Sequence, residues 1–69
     1  MTSLISTYRI DILDGTTKTW QPLPDGKGIA AGFMENDALD YVERERARRR
    51  MGAARVVCEQ TGHVIEEYR

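Results

Sequence analysis

A chain of 69 residues with a formal net charge of -1 has room for one small domain spanning 1–69, since a core of this size buries only about 60% of the unfolded surface. That bound argues against a deep active-site cavity, and a charge near zero with a sequence pI near 5.7 argues against a surface given over wholly to nucleic acid. The 30% charged and 41% apolar composition is that of a folded, soluble chain.

Cys58 is the one cysteine, so no internal disulfide can form. The N-terminal MTSLISTYR lacks the basic stretch and apolar run of a secretory leader, and no apolar run approaches a membrane span. A cytoplasmic location is expected.

From Leu4 to Leu13 the residues alternate, with Leu4, Tyr8, Ile10 and Ile12 on one face and Thr7, Arg9 and Asp11 on the other, the period of a half-buried strand. Asp14-Gly15 signals a hairpin, and Thr16 to Trp20 reads as the returning strand. A two-residue turn would set Trp20 opposite Arg9 on the polar face. A three-residue turn would bring it to Tyr8 or Ile10 on the apolar face, which is expected because the one tryptophan is a large share of a small core.

Gln21 to Met34 carries two prolines and three glycines. It reads as a functional loop or as a loop hiding a strand, with a turn at Pro24-Asp25-Gly26 and a short edge strand within Gly28 to Met34. Asp25-Gly26-Lys27-Gly28 has residues that could approach a phosphate, but neither the spacing nor a following helix fits a phosphate-binding loop.

Glu35 to Gly52 is the helical stretch, expected over about 37–51 with Asn36 as N-cap, arginines by the last carbonyls and Gly52 turning left-handed beyond the end. Ala38, Leu39, Tyr41 and Val42 form an apolar stripe over two turns, which then gives way to charge. Asp40 to Arg44 and Glu45 to Arg49 are spaced for i,i+4 pairs. Between Glu43 and Met51 five arginines meet two glutamates, a local excess of three positive charges. Arg46, Arg49 and Arg50, with Arg55 nearby, are therefore the candidate contacts for an acidic partner or for nucleic acid.

Ala53 to Glu59 and His63 to Tyr68 are strands joined by Gln60-Thr61-Gly62, with Gly62 left-handed. The register that follows pairs Cys58 with Val64, Val57 with Ile65, and Arg55 with Glu67. It puts Val57 and Ile65 on the face away from the core, as the candidate protein interface. His63 then faces Glu59, a pair without the cleft or orienting group that catalysis needs. Cys58 reads as a core residue, and no second Cys or His stands at metal-ligand spacing.

The stretch from Pro24-Asp25 to Leu39, with Gly32 ahead of Asp37-Ala38-Leu39, resembles the antitoxin family of the HicB type, in which a proline- and glycine-bearing loop runs into a helix. It covers under half the chain, and the C-terminal hairpin departs from the DNA-binding tail that this resemblance implies. The order hairpin, helix, hairpin is also similar to small bacterial domains.

The expectation is an α+β domain in ββαββ order, an antiparallel sheet of two hairpins with room for a further short strand before the helix and one helix on one face. The candidate core is Tyr8, Ile10, Ile12, Trp20, Phe33, Leu39, Val42, Val56, Cys58, Val64 and Tyr68. One half-apolar helix cannot cover four strands, so association is expected, most simply as a homodimer. A non-enzymatic protein-interaction module of a bacterium or phage is the leading reading, with no catalytic residue, cofactor or metal. A nucleic-acid-binding or antitoxin-like protein using the arginine-rich helix end is the alternative.

Overall fold

The computed structural model describes residues 5–26 and 28–69; Leu4 of the expected first strand and Lys27 lie outside them. Among the described residues six strands and one helix follow in the order β1 (Tyr8–Leu13), β2 (Trp20–Pro22), β3 (Pro24–Asp25), β4 (Gly28–Ile29), α1 (Glu35–Arg49), β5 (Ala54–Cys58) and β6 (Val64–Tyr68). The main sheet is antiparallel in the order β2-β1-β5-β6, and β3 pairs with β4 as a separate ribbon. The class is α+β, as the sequence pattern implies.

Alternation along β1 sends Ile10 to the helix side, where it joins Ala38, Val42, Ala54, Val56, Leu23 and Ala30 in the buried core. Three of these seven are alanines, whose short side chains let α1 lie close to the sheet. Tyr8, Ile12, Phe33, Leu39, Tyr41, Met51, Ile65 and Tyr68 pack around them, and the Phe33 and Tyr41 rings meet at 4.8 Å.

The stretch from Gln21 to Met34 is one edge strand broken by an excursion. β2 pairs with the C-terminal half of β1, and Leu23 donates to the Ile10 carbonyl. The chain then leaves as the β3-β4 ribbon and returns at Ala30, whose carbonyl accepts from Ile10 N, before Phe33 bridges Tyr8. β1 is thus bonded along its length by two pieces of the same edge. Leu23 and Ala30, at the root of the excursion, are buried; neither stood among the expected core residues, because a Pro- and Gly-rich stretch shows no period.

The first hairpin differs from expectation. Six residues, 14–19, join β1 to β2 because the Asp14 carboxylate accepts from Thr16 N and Thr17 N and its carbonyl accepts from Lys18 N, winding a longer turn. Leu13 consequently faces Trp20, which shares the side of Asp11 and Leu13 and lies outside the core. In the second hairpin Gly62 is left-handed, with φ 78°, and Arg55 pairs with Glu67 as expected. A bulge at Ile65 shifts the rest, so that Val57 faces Val64 and Ile65 turns to the helix-side core. The expected pairs Cys58 with Val64 and Val57 with Ile65 are therefore not formed, and Val64 shares the side of Val57 away from the core.

The helix begins and ends two residues early. Met34, extended at φ -71° and ψ 159° and without a side-chain cap bond, stands at the N-cap in place of Asn36, because the bridge to Tyr8 fixes residue 33 in the sheet. Arg50, at φ 54°, makes the left-handed turn in place of Gly52, since Ala53 must already offer its carbonyl to Leu13 N.

Candidate binding face

None of the described helices or strands packs on the side of the sheet away from α1. Arg9, Asp11 and Leu13 point to it from β1, Arg55 and Val57 from β5, Trp20 and Pro22 from β2, and Val64 and Glu67 from β6. Asp11 and Val57 are nonetheless only 3% and 1% exposed. A buried carboxylate is costly unless it is paired and hydrogen-bonded. Here it is held by two cations. Arg9 Nε donates to Oδ1 and Arg55 Nε to Oδ2, each at 3.1 Å. Arg55 in turn lies over the Trp20 ring, 4.5 Å from its centroid, a cation–π contact that pins the guanidinium on a second side.

This cluster holds two positive charges against one negative. Among the described residues Arg55 spends only its Nε–H, so both of its Nη groups remain available, as does Nη1 of Arg9. Glu67, across from Arg55, pairs with Arg69. The outcome is a largely closed surface with an arginine pair at its centre and Leu13, Trp20, Pro22 and Val64 around it.

The helix arginines do not converge. Arg46 lies over the Tyr68 ring at 5.1 Å and donates to the Arg69 carbonyl; its Nε is buried without a hydrogen bond. Arg49 pairs with Glu45 and donates to the Pro24 carbonyl at 3.2 Å, fastening the β3-β4 ribbon to the helix. Arg50 forms the helix end, and Arg55 sits on the opposite face of the sheet. Arg44 pairs with Asp40 and Arg48 with Glu45, whose carboxyl is held below its ordinary value chiefly by the Arg48 hydrogen bond. The proposed contacts Arg46, Arg49, Arg50 and Arg55 therefore occupy separate surfaces. Among the described residues Arg44, Arg46, Arg48 and Arg49 are each engaged by an ion pair or hydrogen bond.

Of the candidate interface residues, Val57 faces the open side but is buried, and Ile65 packs toward the core. His63 lies in the β5-β6 turn, its N–H bonded to Thr61 Oγ1 and its carbonyl to Cys58 N. Its expected partner Glu59 instead accepts from Gly32 N at 2.7 Å. Cys58 is 6% exposed; hydrogen bonding to Thr61, ahead of burial, which opposes it, lowers the thiol from its ordinary value. Burial, reinforced by the Asp25 carboxylate, raises the Tyr41 phenol.

Among the described residues there is no cavity, no group of three His, Cys, Asp or Glu placed to hold a metal ion, and no helix long and apolar enough to cross a membrane. Sequence reasoning missed Arg9 and Asp11 as partners of Arg55. The signal was the Arg9-x-Asp11 spacing, which puts both on one strand face, but it gains meaning only once β5 is known to lie beside β1. No protein-family model, curated protein or solved structure matches this chain.

Proposed function

We propose that this chain is a non-enzymatic, cytosolic protein-interaction module that works through the face of its sheet away from α1. The observation that carries this reading is the preformed Arg9–Asp11–Arg55–Trp20 cluster on a face that no described helix or strand covers. A side chain already held by a neighbour loses less conformational freedom when a partner arrives, so an ordered arginine is a better anchor than a waving one.

A second copy is the simplest occupant to expect from the sequence, but stacking this face on itself would set guanidinium against guanidinium. An unlike partner fits it better. Nucleic acid is less favoured, because the arginines divide among the helix end, the β6 side and the sheet face and do not form one track.

The test is photo-crosslinking in cells that express the protein naturally, with a photoreactive residue at Pro22 on the face or at Ala47 on the exposed side of α1. The reading predicts a discrete adduct from position 22 and none from 47. Adducts from 47 alone, or from neither, contradict it.

A further inference from the structure

We propose that Arg9 and Arg55 are a receptor for a side-chain carboxylate on an acidic, partly apolar peptide segment of the partner protein; this rests on the reading of the open sheet face as the contact surface. The two guanidiniums converge on Asp11 through their Nε–H groups at 3.1 Å, which leaves Nη donors of both on the same side of the sheet. Planar guanidinium edges match a carboxylate in two parallel hydrogen bonds.

Three further observations narrow the ligand. The cluster keeps one positive charge after Asp11 is counted, so it attracts an anion without demanding many. The arginines are held in advance, Arg55 between Asp11 and the Trp20 ring. Leu13, Pro22 and Val64 share the face, so a segment that brings an apolar side chain beside its carboxylate finds complementary surface. A nucleic-acid backbone, with its closely spaced phosphates, would meet this one cationic point and little beyond it, because Glu67 and Arg69 neutralise each other next door.

The experiment is an amide chemical-shift titration of the labelled full chain with three probes: an end-blocked peptide alternating Glu and Leu, the same peptide with Lys for Glu, and oligothymidylate. The Glu peptide is expected to shift the amides of β1, β5 and Trp20, saturably and more weakly as salt is raised. Arg9→Gln and Arg55→Gln should each weaken it by about tenfold or more, the cost of one charge-assisted hydrogen-bonded group. Should a glutamine variant lose its native spectrum, Arg9→Lys and Arg55→Lys keep a cation beside Asp11 while removing the planar fork, and they should still weaken binding several-fold.

Equal binding of the Lys peptide or of oligothymidylate, shifts confined to α1, or unchanged affinity in the folded arginine variants would each overturn the proposal. If the Glu peptide leaves the spectrum unmoved while crosslinks at position 22 persist, the face remains a contact surface and only the acidic ligand is wrong. If the crosslinks are absent as well, both readings fall.

Discussion

Asp11 shows how a single residue decides what a sheet face can be. Its side chain is 4% exposed between two arginines that are themselves under one-third exposed, so its removal strands two cations in a poorly hydrated place. Asp11→Ala should cost on the order of 3 kcal/mol, read as a lowered urea midpoint, because breaking a buried pair leaves uncompensated charge. A loss under about 0.5 kcal/mol, the size of an ordinary surface substitution, would mean that water already serves this site. Asp14 titrates in a direction that can be checked. The backbone N–H of Thr17, then that of Thr16, holds its carboxyl below the ordinary 3.8. A depressed folded value means that the stabilisation is present above the unfolded value and is lost as pH falls through the folded one. Asp14→Asn should therefore be less stable than the parent at neutral pH, with the gap closing well below pH 3.8; a gap constant with pH would contradict this account of the turn.

At the scale of elements, both helix ends depart from what the residues prefer. Met34 caps α1 with an apolar side chain that is 58% exposed, and Arg50 takes a left-handed conformation costly for any residue with a Cβ. Met34→Asp should stabilise the fold by about 1 kcal/mol by supplying a side-chain acceptor to the first turn. Arg50→Gly should add a further gain of about 0.5–1 kcal/mol. Denaturation midpoints test both, and a loss at either position would show that the side chain is needed elsewhere. These ends also mark the limit of sequence reading. The helix itself and the strands β1, β5 and β6 were legible from their periods, but the caps are set by where β1 and β5 bond the flanking residues. The bulge at Ile65 and the long turn after Asp14 reverse which face Ile65 and Trp20 take, because strand parity turns on a single residue. The split edge around β3 and β4 has no periodic signature at all. The candidate cluster was half visible: Arg55 stood out as a nearby cation, while Arg9 and Asp11 read as ordinary polar positions until β1 and β5 are laid side by side.

For the whole molecule, the arrangement is a helix layer on one side of the sheet and an ionic layer on the other. The sheet's outer strands resist casual pairing: β2 is three residues long and holds Pro22, and β6 carries Glu66 and Glu67, which would face like charge in an antiparallel pairing with a second copy. With its arginine face equally unsuited to itself, the purified protein should show a mass of 7.9 kDa by light scattering at low salt. A dimer at low salt that strengthens as salt screens the arginines would instead assign the face to self-association.

Whether Arg9 and Arg55, locked on Asp11, close the side of the sheet away from α1 shows in the arginine Nε–H resonances. The account predicts that Arg9 and Arg55 keep slowly exchanging Nε protons under conditions where those of the more exposed Arg44 and Arg48 have been lost to water, and that Asp11→Asn abolishes the difference. Equal exchange for all four would contradict it, leaving the face a set of independent, hydrated side chains.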